Sequence, residues 1–308
     1  MKNFINISDH SSSDLRAIID EAKTRKLNRK GFNKSAPDDD KPFEGKSLAM
    51  IFEKPSTRTR MSFDIAAKQL GGSSIILNPD GIHYGKGDET LKDTAKVLTE
   101  YVDIIMLRTS SHNNLEEFGK HLDIPIINGL SDKSHPCQIM SDILTYEESN
   151  GSITGKTISW LGDGDNNMSN SLIEAAVKFK FNLKIGCPKK YAPGKKILGW
   201  AKKNKVNLLI TQKPDEAVKN SDCVMTDKWV SMNDKVNKKT KKKVLKPFQV
   251  NKKLMKKANS NAIFMHCLPV GRGEEVTDEV IDGKQSVVWR QALNRVHAQK
   301  SIIKWCLD

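Results

Sequence analysis

Ser56-Thr57-Arg58-Thr59-Arg60, preceded by Pro55, places three hydroxyl groups and two guanidinium groups in consecutive positions. The apolar run Leu48-Ala49-Met50-Ile51-Phe52 before them reads as a buried strand. Met61, Phe63, Ile65, Ala66 and Leu70 then follow at helical spacing until Gly71-Gly72. The cluster thus sits where a strand turns into a helix, and the first helical N–H groups there have no internal acceptor. The helix dipole favours negative charge at that end. With Ser56, Thr57 and Thr59 as donors and Arg58 as a planar fork, the turn is built for a phosphate dianion.

Other residue types point to acyl transfer. Arg108 closes an apolar run, Ile104 to Leu107, and His135-Pro136-Cys137-Gln138 opens a helix with its entry set by the proline. Arg108 and His135 suit hydrogen bonding to a carbonyl oxygen as it gains negative charge. Gly162-Asp163-Gly164-Asp165-Asn166-Asn167 lacks the third glycine of a dinucleotide fingerprint and would set two carboxylates against a pyrophosphate. Its Asn and Asp residues fit the ammonium and carboxylate of an amino acid better. Cys267, in His266-Cys267-Leu268-Pro269, follows another strand; a thiol there is a nucleophile, a metal ligand or buried filler. No partner base is visible beside it, so it is read as a substrate contact.

The elements that position these residues alternate. Ser11-Ser12-Ser13 caps a helix with Leu15, Ile18, Ile19 and Ala22 on one face. Strands are expected at 48–52, 74–77, 104–107 and 124–128. Helices are expected after 56, from Thr90 through Leu91, Ala95, Leu98 and Tyr101, near 115–122, and from Pro136. Residues 78–87 are turn-rich. Asn150-Gly151-Ser152 marks a boundary, after which strands near 157–161, 183–185, 208–210, 223–225 and 262–265 alternate with helices. The last helix, from Trp289 to Leu307, has Ala292, Val296, Ile302 and Ile303 on one side. The fold class is α/β: two doubly wound parallel-sheet domains, 1–149 and 150–308, with an inter-domain cleft. In such sheets ligands lie beyond the carboxyl ends of the strands, where Arg108, His135, Gln138, Asp163 to Asn167, Asp227 and His266-Cys267 fall.

Composition excludes several classes. A chain of 308 residues with 37% hydrophobic content can bury two cores, and no apolar run approaches membrane-spanning length. The first residues do not resemble a secretory signal. Five cysteines without paired spacing imply a reducing cytoplasm and no structural zinc. The net charge of +14 comes from scattered lysines, without the basic and aromatic stripe of a nucleic-acid binder. Lysine-rich residues 234–257 read as a solvated loop and helix face.

The motif set Phe52-Glu53-Lys54-Pro55-Ser56-Thr57-Arg58-Thr59-Arg60, His135-Pro136-Cys137-Gln138, Asp227-Lys228-Trp229-Val230-Ser231-Met232 and His266-Cys267-Leu268-Pro269 resembles the ornithine carbamoyltransferase family. Leu293-Asn294-Arg295-Val296-His297-Ala298-Gln299-Lys300 resembles its bacterial members, and the match runs nearly the whole chain in the family's order. The resemblance implies a carbamoyl phosphate domain followed by an ornithine domain, with the C-terminal helix packing back on the first. Carbamoyl phosphate would lie against Ser56, Thr57, Arg58 and Thr59, with Arg108, His135, Gln138 and Arg295 around its carbonyl. His83 would reach a neighbouring subunit's phosphate. Ornithine would be held by Asn167, Asp227, Ser231 and Met232, with Cys267 and Leu268 lining the junction and Asp227 orienting the attacking amine. Arg108, His135, Asp227, Cys267 and Arg295 are the implied catalytic set. No metal, cofactor, nucleic acid or membrane is implied, and the assembly would be a cytoplasmic homotrimer in arginine biosynthesis.

Asn233, Asp165, Leu293 and Asp88 depart from the family's pattern, and Asp165 leaves the choice between Asn166 and Asn167 open. The competing readings are a carbamoyltransferase for aspartate, putrescine or acetylated ornithine, and a Rossmann oxidoreductase.

Overall fold

Leu48 to Phe52 form a strand because a continuous apolar run can be buried on both faces only inside a helix-covered sheet. In the computed structural model, which describes residues 2–78, 89–230 and 237–308, every residue of that run is buried. The chain divides into two compact units, Met1–Ser141 with Leu293–Asp308, and Asp142–Ala292.

The first unit contains α1 (Ser12–Asn28), β1 (Ser47–Phe52), α2 (Thr57–Gln69), β2 (Ser73–Leu77), α3 (Leu91–Tyr101), β3 (Ile104–Arg108), α4 (His112–Lys120), β4 (Ile126–Leu130) and the start of α5 (Pro136–Asn150). Its four strands are all parallel, in the order β2-β1-β3-β4. Chain order reverses between β1 and β3, so the carboxyl ends of these two strands flank the switch point where ligands bind in such sheets. Ser11, Ser56, Thr90 and Ser111 each cap the next helix by accepting a backbone N–H three residues on. Leu15, Ile18, Ile19 and Ala22 are buried as expected.

Three details differ from the sequence pattern. The strand expected at 124–128 runs Ile126–Leu130, because Pro125 has no N–H for the ladder and only its carbonyl pairs, accepting from Ile105. Met61 and Tyr101, assigned to apolar faces, are 54% and 74% exposed. Residues 79–88, which include the turn-rich segment, His83 and Asp88, lie outside the described residues.

The second unit contains β5 (Thr157–Leu161), α6 (Asn167–Phe179), β6 (Asn182–Gly186), α7 (Lys195–Lys203), β7 (Leu208–Thr211), α8 (Pro214–Val218), β8 (Cys223–Thr226), α9 (Lys238–Leu245), α10 (Lys252–Met255), β9 (Ile263–His266), α11 (Asp278–Ile281) and the start of α12 (Val288–Leu307). Its five parallel strands are ordered β7-β6-β5-β8-β9, and the switch point lies between β5 and β8. Both sheets therefore have the doubly wound pattern read from the sequence.

The lysine-rich stretch is only partly solvated. Lys238, Lys239 and Lys243 are exposed, but Lys241 is buried, because helical spacing places it above buried Leu245. The inner face of α12 also differs from the apolar stripe. Ile302 and Ile303 are buried and Ala292 and Val296 half-buried, while Asn294, Arg295, Gln299 and Lys300 are buried beside them. Among the described residues no helix is long and apolar enough to cross a membrane.

Candidate active site

In the first unit, β1 delivers its chain to α2 through Glu53 to Ser56, and β3 delivers Arg108 alongside, with Glu53 N–H donating to the Arg108 carbonyl at 3.0 Å. Glu53 also accepts from the Ser110 N–H at 3.0 Å and its hydroxyl at 3.2 Å, so the loops leaving both strands are tied together. Ser56 caps α2, its Oγ accepting from the Thr59 N–H at 3.3 Å. Thr57 is exposed and Arg58 half-buried on the first turn. Arg60 is directed elsewhere: it donates to Asn78 at 2.9 Å and lies over the Phe52 ring.

Thr59 is fully buried, and its Oγ1 accepts from Arg108 Nη1 at 3.1 Å and Arg295 Nη2 at 3.0 Å. Arg295 Nη1 also donates to Gln138 Oε1 at 3.1 Å. With both lone pairs of the Thr59 hydroxyl engaged, its O–H is left as a donor in the remaining tetrahedral direction. His135 is buried. Desolvation, then the charges of Arg295, Arg108 and Arg58, hold its imidazole well below the ordinary value of 6.5. It is therefore neutral at physiological pH, with one N–H to donate. Burial raises the thiol of neighbouring Cys137 to about 12, which makes it unreactive. Three guanidinium groups and a neutral imidazole at a helix N-terminus form a site for an anion bearing a polarisable oxygen.

In the second unit, Gly162 to Asn166 leave β5. Gly162 has φ +117°, where a side chain is strained, and a Cβ there would come within 3.1 Å of Trp229 Nε1. Asn166 Oδ1 accepts the Ser169 N–H at 2.8 Å and caps α6, so Asn167 is the first helical residue. That arrangement commits the Asn166 side-chain oxygen to capping the helix. Beyond β8, Asp227 Oδ1 accepts the Lys228 N–H at 2.7 Å and the Cys267 thiol at 3.0 Å. Asp227, His266 and Cys267 offer donor atoms within 4.8 Å of one another. His266 is already committed, however. Its Nδ1 accepts the Leu268 N–H at 2.8 Å, so Nε2 carries the proton and donates to buried Glu275 at 3.1 Å. The imidazole therefore braces the Cys267-Leu268 turn, where Leu268 has φ +58°, and is not presented as a metal ligand.

Thr59, Arg108, Gln138 and Arg295 are thus brought into one hydrogen-bonded group with Ser56 and His135 beside it, and Asp227 is joined to Cys267. Ser231, Met232 and Asn233 fall in 231–236, and with His83 they lie outside the described residues. Sequence reasoning did not find Glu53, Glu275 or the pairing of Asp163 with Lys241. The partners of Glu53 and Asp163 lie 57 and 78 positions away and leave no local signal, and Glu275, nine residues from His266, falls in an irregular segment with no periodicity to reveal the contact.

Comparisons with known proteins match both halves. Residues 2–148 match the family model described as aspartate/ornithine carbamoyltransferase, carbamoyl-P binding domain, and residues 154–306 match the Asp/Orn binding domain of the same family. The ornithine carbamoyltransferase of Brucella ovis is 50% identical over 308 residues, covering 100% of this chain and 96% of that one. That of Mesorhizobium japonicum is 50% identical, covering 100% and 99%. Among solved structures, the ornithine carbamoyltransferase from Pyrococcus furiosus superposes with a TM-score of 0.91 at 42% identity, covering 98% of this chain and 96% of that one. The anabolic ornithine carbamoyltransferase from Campylobacter jejuni gives 0.90 at 35%, covering 99% of each.

Proposed function

The chain belongs to the aspartate/ornithine carbamoyltransferase family, and from that premise we propose that it is an ornithine carbamoyltransferase. It transfers the carbamoyl group of carbamoyl phosphate to the side-chain amine of L-ornithine, giving L-citrulline and phosphate. The observation that carries this reading is the convergence of Arg108 and Arg295 on Thr59 at the N-terminus of α2.

In this reading the phosphate dianion lies against Ser56, Thr57, Arg58 and Thr59, and His83 supplies a further contact. Arg108, His135, Gln138 and Arg295 surround the carbonyl, with Cys267 and Leu268 as contacts to the same substrate. Asn167, Asp227, Ser231 and Met232 hold ornithine. The neutral amine attacks the carbonyl carbon, the bond from that carbon to the phosphate oxygen breaks, and the departing phosphate takes the proton the amine loses. Asp227 accepts an N–H of the amine and aims its lone pair. Negative charge on the carbonyl oxygen is met by fixed donors that need no reorganisation, so positioning and electrostatics supply the rate. Residues 1–149 serve carbamoyl phosphate together with the C-terminal helix that returns to them, and the rest of 150–308 serves ornithine.

The enzyme acts in the cytoplasm as a homotrimer in arginine biosynthesis. Exposed apolar side chains on α2, β2 and α3 support assembly, and five cysteines outside any disulfide suit a reducing compartment.

Citrulline formation from carbamoyl phosphate, measured with ornithine, aspartate, putrescine and N-acetylornithine in parallel, tests the assignment. Turnover with ornithine alone, abolished in Arg58→Ala, is the expected result. Turnover only with another acceptor would overturn the reading of the second unit.

A further inference from the structure

Lys241 is the inward member of a helix whose other lysines face water or reach the surface. It is 4% exposed, and its Nζ lies 2.6 Å from Oδ2 of Asp163, itself 7% exposed. The ammonium also sits 5.3 Å from the centroid of the Tyr191 ring. Taking an ammonium and a carboxylate out of water costs several kcal/mol for each ion, about what their pairing restores. The pair therefore gains little stability over an apolar contact, and what it adds is direction.

Both partners are built into rigid surroundings. The second oxygen of Asp163 accepts the Asp165 N–H at 2.9 Å, and its carbonyl accepts Trp160 Nε1 at 2.8 Å. Gly164 donates its N–H to the Tyr191 carbonyl at 2.8 Å, and a Cβ there would meet that oxygen at 2.8 Å and the Cys187 sulfur at 3.0 Å. The turn held this way ends at the Asn166 cap and Asn167. On the other side, Leu245, one turn after Lys241, packs with Tyr191, Trp229 and Val230, and Trp229 lies against Gly162. Trp229 and Val230 follow Asp227 directly. One ion pair thus joins α9 to the turn carrying Asn167, and α9 in turn packs on the residues that follow Asp227.

We propose that the Lys241–Asp163 pair is a positioning device that sets the spacing of Asn167 and Asp227, and through it the affinity for the acceptor amino acid, without touching substrate. This rests on the reading of the second unit as the ornithine half. An ion pair fixes both distance and direction, and a displacement of about an ångström at a group that hydrogen-bonds the acceptor carries that bond beyond its working range of about 2.7–3.2 Å.

The test is steady-state kinetics on the full-length enzyme with each substrate varied, for wild type, Lys241→Met, Asp163→Asn and Lys241→Arg, together with thermal unfolding of each. The expected result is a KM for ornithine raised about tenfold or more in Lys241→Met and Asp163→Asn. The KM for carbamoyl phosphate stays within about twofold, and Lys241→Arg restores most of the loss because a guanidinium can also pair with Asp163. A folded Lys241→Met enzyme with an unchanged KM for ornithine, or with both KM values raised alike, overturns the proposal. Where Lys241→Met shows no cooperative unfolding, Lys241→Arg and Lys241→Gln decide: equal KM values for ornithine in the two would sink it. Wild-type enzyme that makes no citrulline instead defeats the activity assignment, an outcome distinguishable from all of these.

Discussion

Arg295, on the last helix, donates through Nη2 to Oγ1 of Thr59 at 3.0 Å across 236 positions of sequence. Arg108 donates to the same oxygen, so one hydroxyl sets the separation of two cations that meet the substrate in the proposed mechanism. Thr59→Val keeps the shape and deletes the acceptor. Hydrogen bonds to charged groups contribute about 1.5–3 kcal/mol, which converts to a loss of about ten- to a hundred-fold in kcat/KM for carbamoyl phosphate. Thr59→Ser should recover most of it. Initial-rate kinetics at saturating ornithine check this, and equal activities for Val and Ser would remove the hydroxyl from the mechanism.

Stability should fall with acid through buried histidines. Burial, then the charges of Lys300, Lys26 and Arg29, lowers the His297 imidazole to about 3, and His135 is held well below 6.5 by burial and three arginines. In each case the unfolded chain binds the proton more readily. The contribution is therefore complete above pH 6.5 and is lost as pH falls toward the folded value. Each such group adds a slope of up to about 1.4 kcal/mol per pH unit. Urea unfolding between pH 7.5 and 4.5 should show the midpoint falling, with a shallower fall in His297→Gln. Parallel curves would show that His297 does not contribute.

Much of this was legible in the sequence, for identifiable reasons. Strands in helix-covered sheets are continuous apolar runs, so β1, β3, β5, β8 and β9 could be placed within a residue or two, and the hydroxyl residues Ser11, Ser56 and Thr90 announced their helices, whereas the cap at Ser111 was passed over and that helix was expected to start later than it does. Ser56, Thr59, Arg108 and Gln138 were singled out because residue types at strand ends carry a local signal, and the fold joins Thr59, Arg108 and Gln138 through Arg295. The buried polar face of α12 was not legible. Lys300 is stabilised in the interior by Asp38 and Gln69, more than 200 positions away, and periodicity cannot reveal partners at that range. Lys241 was misread for the same reason: its counter-ion lies on another element.

The bond from Cys267 to Asp227 makes a separable prediction. The thiol donates to Asp227 Oδ1 at 3.0 Å, so it restrains the carboxylate proposed to aim the amine. Cys267→Ala removes one of the two hydrogen bonds on that oxygen and leaves the one from the Lys228 N–H, whereas Asp227→Asn removes the acceptor charge itself. Asp227→Asn should cost far more in kcat than Cys267→Ala, and the double variant should resemble Asp227→Asn alone. Additive losses in the double-mutant cycle would mean that the thiol acts independently of Asp227.

β2 is an edge strand of the first sheet, yet its Ile75 and Ile76 are 46% and 39% exposed, and Met61 on α2 and Val97 and Tyr101 on α3 are exposed as well. Val97 and Tyr101 are one helical turn apart, so they share a face. Exposed apolar side chains that share a face suit an interface, and covering them recovers about 25 cal/mol per Å². A closed ring of three copies would cover this surface in each subunit. Val97→Glu with Tyr101→Lys should convert the proposed trimer to monomers in sedimentation velocity while leaving the far-UV circular dichroism unchanged. If that variant sediments as a trimer, the interface lies elsewhere. If wild type sediments as a monomer, the trimer itself is wrong.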